Sequence, residues 1–246
     1  MGPVVDPEAI ASFRTARHLV LEAVASACLS AGRDPADVTL VAVSKTVDAG
    51  RLEAAVAAGL TLLGENRVQE AESKAPLLPQ ARWHLIGPLQ SNKARRAVEV
   101  FDVIESVDSV DLAGRLDRIA GDVGRSPLGV YLQVNVDRDG AKAGFLPETL
   151  EVELPALAGL TNLGLLGLMT VGRLVGTAEE ARPTFVGLRE LSGRLRELSP
   201  ALGPGLSMGM SEDYAVAVEE GATVIRVGRA LFGARPAAGA GDSGFR

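Results

Sequence analysis

The sequence predicts a single α/β domain, a (β/α)8 TIM-type barrel with an extra N-terminal helix, and three observations carry that expectation. From Val38 onward, short runs rich in β-branched residues and leucine alternate with stretches rich in alanine, glutamate and arginine. This is the pattern of parallel strands joined by crossover helices. Eight such runs can be counted, the number that closes a barrel. The length of 246 residues is that of one complete barrel. A doubly wound open sheet is the competing topology.

Taken in order, residues 1–7 read as a loose arm. A helix with Phe13, Leu19, Val20 and Val24 as its apolar positions follows and ends by Gly32. The barrel is assigned to residues 8–234. Its strand runs are VTLVAVS from Val38, TLLGEN from Thr61, WHLIG from Trp83, FDVIES from Phe101, LGVYLQVNV from Leu128, LGLLGLMTV from Leu163, GLSM from Gly205 and ATVIRVG from Ala222. The seventh carries the least pattern. Residues 235–246 combine glycine and alanine without periodicity and read as a disordered tail.

Composition narrows the function. Hydrophobic residues at 47% supply a large core, and charged residues at 23% keep it in solution. The net charge of −6, with basic residues scattered along the chain, lacks the basic footprint of a nucleic-acid or anionic-membrane partner. The single cysteine, Cys28, has no intramolecular disulfide partner, which indicates a reducing compartment, and it reads as core packing. The N-terminus shows no signal pattern, and no apolar run approaches the roughly 20 residues that span a bilayer. The expected location is the cytoplasm, and the expected partner is a small molecule.

Active sites of such barrels lie at the carboxyl ends of the strands. In VTLVAVSK, alternation places Val41, Val43 and Lys45 on one face. A lysine at the mouth behind two apolar neighbours is partly desolvated, which lowers its pKa and suits an amine that forms an imine with an aldehyde. It can equally snorkel to solvent. In LSMGMSEDY, Gly209 with Ser207 and Ser211 precedes a helix expected from Ser211, a place for a phosphate or for an ordinary serine cap backed by Glu212 and Asp213. In ATVIRVG, Arg226 points inward and needs a carboxylate, a phosphate or a ring nitrogen, or forms a structural ion pair. Gly228 follows it, in the loop position that barrel phosphate sites commonly use.

Other strands contribute less. Tyr131, Gln133 and Asn135 share one face of the fifth strand, either lining a ligand or filling the interior with satisfied polar groups. Asn66, His84 and Asn92 lie near further strand ends, with His84 read as a core histidine. No metal-ligand cluster and no dinucleotide fingerprint occur; GLMTVG at Gly167 does not amount to one.

Together these segments resemble the pyridoxal phosphate homeostasis protein family, whose fold is similar to the N-terminal barrel of alanine racemase. The matching segments are AVSKT at Ala42, GENRVQE at Gly64, WHLIGPLQSNK at Trp83, QVN at Gln133 with KAG at Lys142, GLMTV at Gly167, LSMGMSEDY at Leu206 and IRVGRALFG at Ile225. The resemblance implies pyridoxal 5′-phosphate (PLP) as cofactor, held as an aldimine by Lys45. It assigns the phosphate to Ser207, Gly209, Met210, Ser211 and Gly228, sets Arg226 against the pyridine nitrogen and puts Asn66 near the ring. The stretch 171–185 departs from the commoner family pattern and leaves substrate-side contacts open.

The function so implied is PLP binding that supports vitamin B6 and amino-acid homeostasis, with PLP-dependent apoenzymes as recipients. No catalytic residue is assigned. An arginine partner weakens the electron sink, and the chain stops about a dozen residues after the barrel, where the racemase continues into the domain that supplies its opposing base. A slow racemase or transaminase-like enzyme is the alternative, and a lysine-imine aldolase acting on a sugar phosphate is a third.

Overall fold

The computed structural model describes residues 6–172 and 176–233. Residues 1–5 of the expected arm, residues 173–175 and the whole expected tail lie outside that range. Helix α1 (Pro7–Ser30) starts where proline fixes the first helical φ, with the Asp6 carboxylate accepting from the Glu8 N–H. The barrel then runs β1 (Thr39–Val43), α2 (Ala49–Ala57), β2 (Leu62–Glu65), α3 (Val68–Lys74), β3 (Arg82–Leu85), α4 (Ala94–Val100), β4 (Val103–Val107) and α5 (Val110–Asp122). Its second half is β5 (Leu128–Gln133), α6 (Pro147–Ala158), β6 (Leu163–Met169), α7 (Arg182–Leu198), β7 (Gly205–Ser207), α8 (Tyr214–Glu219), β8 (Val224–Val227) and α9 (Arg229–Phe232).

All eight expected strands form, and the sheet closes in the order β1 to β8. The open-sheet alternative is thereby excluded. Closure pairs β1 with β8 in parallel, Val41 opposite Arg226. Alternation sorts the side chains: Val41, Leu62, Tyr131, Met169 and Val224 cluster inside the barrel. Their neighbours Ala42, Leu63, Leu132 and Ile225 turn outward into the layer beneath the helices. Both faces of most of the strands are therefore largely buried, which is why these runs read as nearly continuous apolar stretches.

Helix α1 packs over the closing seam. The rings of Phe13 and Phe232 meet edge to face at 5.5 Å, and the Arg51 guanidinium sits over Phe13. The buried face of α1 is Phe13, Val20, Val24, Ala27 and Cys28, whereas Leu19 is 60% exposed. Leu19 and Val20 are one residue apart, about 100° around a helix, so they cannot share one core stripe; Val20 takes it.

Two expected boundaries also move. Helix α8 begins at Tyr214, beyond the expected Ser211, because the Asp213 carboxylate accepts the Met210 N–H at 2.6 Å and holds residues 210–213 as a turn. The fifth strand ends at Gln133, short of the expected Val136: Gln133 donates to the Ala143 carbonyl, while Asn135, beyond the strand, bonds the Asp139 carbonyl and accepts the Asp139 N–H. These two amides tie down the 139–144 loop. Among the described residues no helix is long and apolar enough to cross a membrane.

Candidate functional site

The closed topology makes β7, β8, β1 and β2 consecutive neighbours, and all eight candidate residues belong to these strands or to the residues just past their carboxyl ends. Lys45 lies two residues beyond β1 and is half-buried. Asn66 follows β2 directly and is also half-buried. Ser207 ends β7, Gly209, Met210 and Ser211 form the turn after it, Arg226 is within β8, and Gly228 follows β8.

The turn after β7 is shaped by glycine. Gly209 has φ +92, and a Cβ there would fall 2.6 Å from the Ala217 Cβ, so both conformation and packing require glycine. Its carbonyl accepts the Arg226 N–H at 3.0 Å, which ties the turn to β8. The Gly228 N–H donates to the Ser211 Oγ at 3.2 Å, so the two candidate phosphate segments touch. Since that bond uses the serine oxygen as acceptor, the hydroxyl proton is available to an anion. A Cβ at Gly228 would lie 3.4 Å from the Val43 Cβ, so the chain passes close to β1 below Lys45.

The acids in this segment are engaged elsewhere. Glu212 pairs with Arg229 at 3.0 Å on the surface. Asp213 is buried against the Met210 N–H; burial pushes its carboxyl above the ordinary value, opposed by that hydrogen bond and by the Arg226 charge. The Met210 N–H is therefore committed to Asp213.

Ser207 and Arg226 face the interior. Arg226 donates through Nη1 to the Ser207 Oγ and through Nη2 to the Thr170 carbonyl at 2.7 Å, using two of its five N–H groups. The Ser207 hydroxyl in turn donates to Glu105 Oε2 at 2.5 Å, and the other oxygen of Glu105 meets His84 Nδ1 at 2.6 Å. The network thus crosses the barrel from β3 and β4 to β7 and β8. Glu105 is fully buried with Arg226 Nη1 3.8 Å away. Burial alone would raise its pKa, but the His84 hydrogen bond and the charges of His84 and Arg226 outweigh burial and hold it below the ordinary carboxylate value. Burial lowers Arg226 from the usual guanidinium value, with Glu105 and Asp213 opposing. The same surroundings push Tyr131, through burial and the Glu105 charge, up to about 12.

The structure thus gathers Gly209, Met210, Ser211 and Gly228 into one cradle, with Lys45 and Asn66 on the adjoining strand ends. Ser207 stands apart: its hydroxyl bridges Arg226 to Glu105, the ion-pair reading weighed for Arg226. Glu105 was not among the sequence candidates. Its signal was present, because Val103 packs against the interior cluster and Glu105 follows it by two residues. Among the described residues no group of three or more His, Cys, Asp or Glu is placed to hold a metal ion.

A family model described as the alanine racemase N-terminal domain matches residues 25–236. The pyridoxal phosphate homeostasis protein of Pseudomonas aeruginosa is 45% identical over 214 residues, covering 86% of this chain and 91% of that protein. The protein of that name from Synechocystis is 43% identical over 204 residues, covering 82% and 93%. PipY of Synechococcus elongatus, solved with PLP bound, is 48% identical at a TM-score of 0.77, covering 85% of this chain and all of the PipY chain. Alanine racemase of Clostridium difficile, 16% identical at a TM-score of 0.69 and covering 92% of this chain and 58% of its own, shares the fold.

Proposed function

Because this chain belongs to the pyridoxal phosphate homeostasis protein family, we propose that it binds PLP at the barrel mouth as a Schiff base on Lys45. In this reading it stores the cofactor in the cytoplasm, supports PLP and amino-acid homeostasis, and hands PLP to PLP-dependent apoenzymes. The observation that carries the proposal is the convergence of an amine, a buried cation and a glycine-serine cradle on four adjacent strands.

The donor set fits such a ligand. The Lys45 amine would hold the aldehyde carbon of the cofactor. Ser211 offers its hydroxyl proton to the phosphate, and Gly209 and Gly228 let the backbone approach without a side chain in the way. Met210 contributes through the shape of the turn, since its N–H is bound to Asp213. Ser207 acts through Arg226. Asn66, half-buried just past β2, would lie on the ring side of the cofactor.

When bound, PLP supplies an electron sink whose strength depends on protonation of its ring nitrogen. Arg226 has no proton acceptor to offer and is already a cation, so it favours the unprotonated ring. Glu105, ionised and hydrogen-bonded through Ser207, keeps that guanidinium in place. The result is a weakened electron sink, which accords with a protein that holds PLP for transfer. The test is to load the protein with PLP, record its visible absorbance, and follow activation of a PLP-dependent apoenzyme. Visible absorbance with transfer supports the carrier reading; phosphate-dependent binding without visible absorbance would point to a sugar-phosphate site instead.

A further inference from the structure

We infer that Glu65, Glu70 and Lys74 are positioning residues for the Lys45 amine, acting through the two residues that flank it. This rests on the reading of Lys45 as the PLP lysine. Lys45 projects from a turn whose next residue, Thr46, has φ 65, a left-handed conformation that β-branched residues rarely adopt. Side chains from β2 and α3 hold both flanks. Lys74 Nζ donates to the Ser44 carbonyl at 3.0 Å and to Glu65 Oε1 at 2.6 Å, and the Ser44 hydroxyl donates to the same Glu65 oxygen at 2.8 Å. On the other side, the Thr46 N–H donates to Glu70 Oε2 at 3.2 Å, and Lys74 pairs with that oxygen at 3.6 Å.

Stability gives little reason for this cluster. Glu65 is fully buried, Lys74 is 8% exposed, and Glu65 Oε2 has no hydrogen-bond partner. Two charges taken out of water with one carboxylate oxygen unsatisfied stabilise a fold no better than apolar side chains of similar volume. What they do is fix a strained turn from both sides. Condensation of an amine with a bound aldehyde is sensitive to the placement of the nitrogen, so a loosened turn weakens the imine without touching the phosphate cradle.

The test compares PLP with pyridoxamine 5′-phosphate, which carries an amine where PLP carries the aldehyde and so occupies the cradle without a Schiff base. Binding of both is measured for the wild-type protein, for Glu70→Ala, and for Lys74→Met combined with Glu65→Gln, which removes both buried charges together. The expected result is an approximately tenfold loss of PLP affinity in the double variant, a smaller loss in Glu70→Ala, and pyridoxamine 5′-phosphate affinity held within about twofold. Borohydride trapping at Lys45 falls in parallel in the double variant, whereas Lys74→Arg alone, which keeps a cation beside Glu65 and the Ser44 carbonyl, retains most of it.

Equal loss of both ligands, or loss of neither, would overturn the inference and leave the cluster a purely structural role. Should the double variant fail to fold, Glu70→Ala and Ser44→Ala decide by the same ratio, because Glu70 is partly exposed and Ser44→Ala removes no charge. If the wild-type protein itself traps no PLP on Lys45, the Lys45 reading fails first, and this inference falls with it.

Discussion

Glu105→Gln tests whether the barrel interior is organised around an ion pair. Glu105 has no exposed surface, and its two oxygens accept from His84 and Ser207 with the Arg226 guanidinium 3.8 Å away. The amide keeps one acceptor oxygen, turns the other position into a donor, and leaves Arg226 buried without the Glu105 charge, the larger of the two carboxylate charges acting on it. Breaking a buried pair by removing one partner costs about 3–5 kcal/mol. The retained acceptor places this variant near the lower end, about 3 kcal/mol. At about 2–4 °C per kcal/mol for a chain of this size, Tm falls by roughly 6–12 °C at pH 7.

The pH dependence follows from the same geometry. The folded pKa of Glu105 lies below its ordinary value of 4.5. Its ionised form therefore contributes fully above that value, and the contribution is lost as pH falls through the lowered pKa. The gap between wild type and variant should be constant from neutral pH down to about pH 5 and narrow below it. Thermal unfolding followed by far-ultraviolet circular dichroism at pH 7 and pH 4 reads both effects. A Tm loss under about 2 °C at pH 7, or one that does not narrow in acid, would refute the ion-pair account.

Further outcomes follow from the cradle. Ser211→Ala should weaken PLP about tenfold while leaving pyridoxal nearly unchanged, because only the phosphate loses a charge-assisted donor; Ser207→Ala, which cuts the bridge between Arg226 and Glu105, should weaken both ligands and lower Tm. Gly209→Ala introduces a Cβ 2.6 Å from that of Ala217 at φ +92; it should cost at least about 1 kcal/mol in urea unfolding and reduce PLP affinity, and an unperturbed variant would contradict the turn geometry. Amino-acid racemisation and transamination assays should show no Lys45-dependent turnover in the ordinary range of about 1–1000 per second, and such turnover would promote the enzymatic alternative.

The strands were legible because most run largely apolar between helical stretches, and even the three-residue β7 lies in the GLSM run. The mouth of the barrel was legible for the same reason: Lys45, Asn66, Gly209 and Gly228 each sit where a strand run breaks into polar or glycine-containing sequence. What stayed hidden depends on contacts across the barrel. FDVIES shows a glutamate, but nothing local says that its partners are His84 on the neighbouring strand and Ser207 about a hundred residues later. Nothing in VQEAESK marks Lys74, and only packing of α3 against β2 and the turn after β1 reveals it as buried on the Ser44 carbonyl. Leu19 failed for the opposite reason, since two adjacent apolar residues leave helical phase ambiguous until the seam is seen.

The central claim is that Lys45 carries PLP as a Schiff base, and reduction of the PLP-loaded protein with borohydride followed by peptide mapping tests it most directly. Hydride addition converts the C=N bond to a stable secondary amine, which marks the attached lysine. The account expects one phosphopyridoxyl group per chain, on the peptide containing Lys45, and its disappearance in Lys45→Ala without loss of the folded barrel. Stoichiometric label on another lysine, or undiminished label in Lys45→Ala, would contradict it.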